Sequence, residues 1–322
     1  MKRLLAGVLA LSLTAAASAG NFRLERDISY GPRPDQPGEG GKQGHRSGQF
    51  FDLYWPNGAT TNAPVFLYVH GGAWSQKWDK DVDGWHILSR LAERGIVCCS
   101  MNYVLQNDVL GDPKAQNRPN ATFADMLRDI DLMVSFLATN LPSRGLSPRK
   151  IGIGGTSAGA HLSALYACDE ANPPALGLNL RHALPIGFVF DNVGPLDFST
   201  PQMKAAIENN EESSDVPQPV LRSFKTLFAR LTNGEPPMKW APISLVSAKT
   251  PPFVLAYNKL HPFSSTDGLV ETAHCSRMEE ALERVGVRSE SRFCWFRSHG
   301  WHTDSQLEWI VDTCAEFAAL YL

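Results

Sequence analysis

An apolar run at residues 150–154 breaks at Gly155-Thr156-Ser157-Ala158-Gly159 and resumes at once as the helical pattern of Ala160, His161, Leu162, Ser163, Ala164 and Leu165. A strand that turns into a helix through five small residues bends sharply, and the bend forces its central residue, Ser157, into a strained backbone conformation. Small flanking residues let neighbouring chain pass close to the bend, so the Ser157 hydroxyl is held at a helix N-terminus. A bare G-x-S-x-G pattern carries little weight, whereas this strand, turn and helix context is the one a nucleophile requires.

The same rhythm runs through most of the chain. Short apolar runs at 50–54, 65–69, 96–103, 150–154, 186–190, 253–257 and 291–296 read as strands, and 85–94, 121–140, 157–168, 268–286 and 303–320 read as helices. Strands that alternate with helices predict an α/β fold with a mostly parallel central sheet covered on both faces. Residues 20–48, rich in Gly, Pro, Arg and Gln, read as an extended arm that wraps onto the domain or is partly disordered, and the domain proper begins at Gln49. Residues 197–240 interrupt the rhythm with acidic and Pro-rich stretches around a helical pattern at 219–232, an insertion placed to act as a lid or to be an ordinary surface excursion.

A second glycine motif, His70-Gly71-Gly72-Ala73-Trp74, follows the strand at 65–69. A serine nucleophile leaves negative charge on the attacked carbonyl oxygen, so backbone N–H donors must already face the place that oxygen will occupy. The glycines let the chain turn its amides inward. Gly72 and Ala73 are the expected donors from this loop and Ala158 the expected donor from the serine turn. His70 reads as a loop anchor, and His161 as packed in its helix or bonded to the turn.

The motifs H-G-G-A-W, G-T-S-A-G-A-H-L and the C-terminal S-H-G-W-H resemble the esterase/lipase branch of the α/β-hydrolase superfamily across about residues 50–322. Within it the chain is similar to bacterial carboxylesterases and to feruloyl- or acetyl-esterase-like enzymes with an H-G-G-x-W loop, which are related to hormone-sensitive-lipase-like esterases and kynurenine formamidases. That resemblance implies a catalytic order of Ser, Asp, His. His299, in Arg297-Ser298-His299-Gly300-Trp301-His302, matches the family's base, with His302 as the competing imidazole. The acid departs from the pattern: after the strand at 253–257 the chain reads Asn258-Lys259-Leu260-His261-Pro262, with His261 where relatives carry Asp. Asp267 is the nominated acid, although in Ser264-Ser265-Thr266-Asp267-Gly268 it is also placed to cap a helix. Asp197 is the fallback, and a dyad without a carboxylate is the remaining option. Trp74, Trp78, Trp85, Trp240 and Trp301 are candidate pocket walls, with core packing as the ordinary alternative.

Composition sets the remaining limits. With 43% hydrophobic and 20% charged residues among 322, the chain holds enough apolar surface for one large core. Lys2 and Arg3, an apolar run from Leu4 to Leu13 and Ala17-Ser18-Ala19 read as a signal peptide cleaved after Ala19. That predicts a secreted or periplasmic protein, because the apolar run is shorter than the roughly 20 residues of a membrane span. The remaining 28 basic and 33 acidic residues give a net −5, which points away from nucleic acid and acidic membranes as partners. No phosphate loop, dinucleotide fingerprint or metal-ligand spacing appears, so no cofactor or metal is expected. Of six cysteines, one bridge is expected among Cys275, Cys294 and Cys314, with Cys98 and Cys99 as buried strand residues. Taken together the chain reads as an exported serine hydrolase acting on a small-molecule or polysaccharide-linked ester, such as acetyl or feruloyl decorations. An exopeptidase or amidase on the same fold, and an inactive binding module, are the alternatives.

Overall fold

The computed structural model describes residues 21–35, 48–75, 79–81, 83–106, 121–208, 218–259, 272–295 and 302–322. Strands β1 (Phe22–Ser29), β2 (Phe50–Pro56), β3 (Val65–Val69), β4 (Val97–Met101), β5 (Ile151–Thr156), β6 (Ile186–Asn192), β7 (Phe253–Lys259) and β8 (Ser289–Trp295) form one sheet in the order β1-β2-β4-β3-β5-β6-β7-β8. β1 and β2 run antiparallel at one edge, and every pairing from β4 onward is parallel. A sheet of this kind is stable only with both faces covered. Helices α1 (Trp85–Glu93) and α7 (Asp304–Tyr321) cover one face, while α2 (Phe123–Asn140), α3 (Ala158–Ala171) and α6 (Ala273–Arg284) cover the other.

The strands sort their side chains accordingly. Phe66 and Tyr68 of β3 pack with Ile87, Leu91 and Phe317, whereas Val65, Leu67 and Val69 pack with Met126, Ile130 and Leu165. Successive residues of a strand point to opposite faces, so near-continuous apolar runs are what a doubly covered strand requires. Cys98 and Cys99 follow this rule: both are fully buried, on opposite faces of β4.

Two sequence expectations need revision. The strand list omits Phe22–Ser29, which forms the antiparallel edge strand β1. Its Arg23, Glu25, Arg26 and Asp27 break up any apolar run, and its pairing shifts register between Glu25 and Ile28, so the segment carries no strand-like pattern. The expected bridge among Cys275, Cys294 and Cys314 is not formed, since Cys275 and Cys314 are both free thiols. Cys275 belongs to the core under α6 and Cys314 to the core under α7, so the sheet stands between them. The expected signal peptide, residues 1–19, lies outside the described residues.

Strand order positions the site. β3 pairs with β4 on one side and β5 on the other, so the chain reverses its direction of travel at β3. Ligand sites of open parallel sheets sit at the carboxyl ends of the strands flanking such a reversal. Val69 lies opposite Gly155 in the β3–β5 register, so the two glycine loops leave the sheet side by side.

Candidate active site

Ser157 occupies the bend between β5 and α3 with φ 55° and ψ −116°. A non-glycine residue there costs about 1–3 kcal/mol and persists only when its surroundings enforce it. The enforcement is visible: the Ser157 N–H donates to the Asn192 carbonyl at 2.7 Å, and the Ser157 carbonyl accepts from the His161 N–H at 3.0 Å. The glycines on either side are required by close passage of the β3 end. A Cβ on Gly155 would overlap the Val69 carbonyl oxygen, and one on Gly159 would overlap the carbonyl oxygens of Val69 and His70. The side chain of Ser157 is partly exposed while Thr156 and Ala158 on either side are buried.

The β3–α1 loop abuts this bend. A Cβ built on Gly71 would lie 3.4 Å from the Ser157 Cβ and 3.4 Å from Asp83 Oδ2. Three successive residues take positive φ: Gly72 at 111°, Ala73 at 52° and Trp74 at 59°. This is the turn expected to supply the Gly72 and Ala73 amides, and Ala158 stands at the first position of α3 beyond Ser157. His70 is buried, its ring stacked on Tyr103 at 4.5 Å between centroids and its Nδ1 2.7 Å from the Gly71 carbonyl oxygen.

Beneath the loop lies a polar chain. Asn192 Nδ2 donates to Thr156 Oγ1 at 3.0 Å, Thr156 Oγ1 is 2.6 Å from the Tyr68 hydroxyl, and that hydroxyl donates to Asp83 Oδ1 at 3.2 Å. The other oxygen of Asp83 accepts the Gly71 N–H at 2.8 Å. Burial pushes the Asp83 carboxyl up to about 6, against the lowering effect of the Gly71 and Tyr68 hydrogen bonds. On the opposite side of the loop, Trp74 Nε1 donates to His161 Nδ1 at 3.1 Å, and His161 Nε2 is 2.8 Å from the Trp240 carbonyl oxygen. Those partners assign the proton to Nε2. Burial lowers the His161 pKa to about 3, so the ring is neutral and its Nδ1 is an acceptor.

The structure places the sequence candidates unevenly. His299 and Asp267 lie outside the described residues, as do Trp78, His261 and Trp301. His302 shares a cleft of about 300 Å³ with Asp83, Thr156, Asn192 and His86; burial first, and His86 second, lower its pKa to about 4. Asp197 is buried and committed elsewhere: it accepts from the Ser199 N–H at 2.8 Å, from the Ser199 hydroxyl at 2.7 Å and from Arg277 at 2.9 Å. Burial raises its pKa, but the Ser199 and Arg277 contacts outweigh that and hold the carboxyl below the ordinary range. Trp74 and Trp240 are core residues, and Trp85 is 54% exposed at the cleft rim. Within residues 197–240, α4 (Pro201–Glu208) and α5 (Gln218–Leu231) pack inward, with Phe224 and Phe228 against Trp74.

Asp83 escaped the sequence reading. Its signal was the acid-rich run Asp79-Lys80-Asp81-Val82-Asp83 a few residues beyond the glycine loop, with the last carboxylate preceding Gly84 at the start of α1. Among the described residues no group of three or more His, Cys, Asp or Glu is arranged to hold a metal ion. None of the helices described is long and apolar enough to cross a membrane.

A mostly parallel sheet with a strained serine at the β5–α3 bend and a glycine loop after β3 defines an α/β hydrolase, and sequence kinship places it in the esterase/lipase group. The family model BD-FAE matches residues 51–282, and the chain belongs to that family. It is 28% identical to the esterase LipQ of Mycobacterium tuberculosis over 237 residues, 71% of this chain and 48% of that protein. The chain thus spans about half the length of this curated relative. Esterase B from Lactobacillus rhamnosis, in an inhibited crystal form, superposes with a TM-score of 0.66 at 17% identity, covering 94% of this chain and 89% of the other. A truncated carbohydrate esterase from gut microbiota superposes with a TM-score of 0.63 at 16% identity, covering 95% and 100%.

Proposed function

We propose that the protein is an exported serine hydrolase that cleaves carboxylic esters through an acyl-enzyme. The observation that carries this reading is the backbone of Ser157, at φ 55° and ψ −116° between glycines that a side chain could not replace. Strain of this kind is retained where function needs the residue. Ser157 Oγ attacks the ester carbonyl carbon while its proton passes to the imidazole of His299, which Asp267 orients. The Gly72, Ala73 and Ala158 amides receive the charge that builds on the carbonyl oxygen, each worth about 3 kcal/mol in the transition state. Collapse of the tetrahedral adduct expels the alcohol with the proton from the imidazolium. Water, deprotonated by the same imidazole, then releases the acid and restores Ser157.

Kinship with esterases in sequence supports ester over amide cleavage. Acetyl or feruloyl decorations on polysaccharide are the proposed substrates, in keeping with the fold shared with a carbohydrate esterase and with export through the signal segment. Helix α5 is proposed as a fixed wall over the loop, since its Phe224 and Phe228 are buried against Trp74.

The test is labelling with a fluorophosphonate probe together with burst release of nitrophenol from short acyl esters, on the wild type and on Ser157→Ala. Labelling and a burst in the wild type, both lost in the variant, are expected. Well-folded wild type that never labels, or a variant that still turns over ester, removes the reading.

A further inference from the structure

The turn that follows β3 is unfavourable by itself. Ala73 and Trp74 both sit at positive φ next to Gly72, and each non-glycine residue in that region is held at a cost. Backbone contacts secure only part of it: Ser75 N–H donates to the Gly72 carbonyl at 3.0 Å, and Gln106 N–H to the Trp74 carbonyl at 2.8 Å. The Gly71 amide at one end and the Trp74 indole at the other are instead met by two buried titratable side chains to which the acyl-transfer steps assign no proton.

We propose that Asp83 and His161 are positioning residues for the oxyanion loop, gripping its two ends so that the Gly72 and Ala73 amides between them face Ser157. Asp83 Oδ2 takes the Gly71 N–H at 2.8 Å, and the Tyr68 hydroxyl at 3.2 Å fixes the carboxylate's other oxygen. Tyr68 is fully buried on β3 and contacts Thr156, the residue before the nucleophile, so loop and bend are referenced to the same chain of side chains. His161 performs the matching task from α3. Its Nδ1 accepts the Trp74 indole N–H, and its Nε2–H is taken by the Trp240 carbonyl, which fixes the tautomer that leaves Nδ1 free to accept. Trp74 is boxed in by Phe123, Phe224 and Phe228, with ring centroids 5.4, 6.4 and 5.7 Å away, so a shift of the ring would have to move a packed cluster. His161 is one helical turn from Ser157 and bonded to its carbonyl, so the helix that carries the nucleophile also carries the loop's second anchor.

A grip of this kind acts on the transition state. Donors displaced by a fraction of an ångström still leave room for ground-state ester but fail to meet the oxyanion. The inference rests on Ser157 being the nucleophile, and its test separates the two. Asp83→Ala and His161→Leu remove the acceptors, Asp83→Asn and His161→Asn retain an acceptor in place, and Trp74→Phe removes the indole donor. For each, kcat and KM are measured with a short-chain nitrophenyl ester, affinity with a trifluoromethyl ketone that forms a tetrahedral oxyanion on the serine, and Tm by calorimetry.

The expected result for Asp83→Ala and His161→Leu is kcat lower by about tenfold or more with KM little changed, and trifluoromethyl ketone affinity lower by the same factor. The two Asn variants recover most of the rate, and Trp74→Phe combined with His161→Leu loses no more than either alone. Folded Asp83→Ala or His161→Leu with wild-type kcat, or with losses confined to KM, overturns the inference. If those two variants do not fold, Trp74→Phe decides: a lowered kcat and ketone affinity supports the grip, and wild-type values overturn it. Ser157→Ala serves as the control. If it retains turnover the nucleophile assignment fails, whereas if it is inactive and the grip variants match the wild type only this inference fails.

Discussion

At the scale of single residues, the bend at Ser157 shows how a sequence pattern becomes a physical demand. G-x-S-x-G is legible because the glycines have a reason that coordinates expose: Gly155 and Gly159 lie where the Val69 and His70 carbonyls pass. Gly159→Ala therefore collides with backbone rather than with a side chain that could rotate away. A loss of about 1–3 kcal/mol in stability is expected, with activity lower by about 10²-fold as the bend and the loop move apart. Urea titration and ester turnover check this, and a variant as stable as the wild type would contradict the overlap. Strain at Ser157 gives a second prediction. Ser157→Ala and Ser157→Gly both lose the nucleophile, but only glycine relaxes φ 55°, so the Gly variant should be more stable than the Ala variant by about 1 kcal/mol after its greater unfolded-state entropy is counted. The roles of Asp83 and His161 were less legible, because an aspartate in a loop and a histidine in a helix gain their meaning from Gly71 and Trp74, partners 12 and 87 residues away.

At the scale of elements, the parallel strands and the long helices could be read directly, and the elements missed are those whose stability is tertiary. Strand β3 and residues 253–257 of β7 are continuous apolar runs with both faces covered, and α2 opens on a capping box at Thr122 and Asp125. By contrast β1 alternates charges and finds its place through ion pairs. Lys80, fully buried in the segment after the glycine loop, contacts Asp52 of β2 at 2.7 Å, Asp27 of β1 at 3.0 Å and Asp81 at 2.9 Å. Arg26 of β1 reaches the same Asp52 at 3.1 Å. A lysine this deeply buried persists because it ties the edge strands to the loop chain leading to Asp83. Lys80→Met removes the ammonium and leaves the Asp52 carboxylate buried beside a half-exposed arginine. The expected cost is about 3–5 kcal/mol, read from urea unfolding at neutral pH, and a cost below about 1 kcal/mol would mean the cluster behaves as surface charge. The helix α4 was missed for a related reason: only Met203, Ala205 and Ala206 are buried, too short a stripe for periodicity to register.

At the scale of the whole molecule, the buried ionisable groups set how stability responds to pH. Asp191 is fully buried at the end of β6, accepting from Tyr257 Oη at 2.6 Å and from the Gly194 N–H at 2.8 Å, and burial still pushes its carboxyl up to about 8. A carboxyl whose folded pKa lies above the unfolded value near 3.8 binds more protons folded than unfolded, so its contribution to stability declines as pH rises between those two values. Asp83 adds the same slope up to about 6. His161 and His302 oppose it: their folded values near 3 and near 4 lie below the unfolded 6.5, so their contributions fade as pH drops below 6.5. Between about pH 4 and 6 the falling slopes of Asp191 and Asp83 run against the rising slopes of His161 and His302. From about pH 6.5 to 8 the fall due to Asp191 stands without those histidines against it, at up to about 1.4 kcal/mol per pH unit. Asp191→Asn keeps an acceptor for the Gly194 amide and has nothing to ionise, so its advantage over the wild type should grow steadily from pH 5 to pH 8. Paired urea titrations at those two values measure it. An advantage that is the same at both would mean that Asp191 stays charged in the folded core, with Tyr257 and Gly194 alone sufficient to hold it.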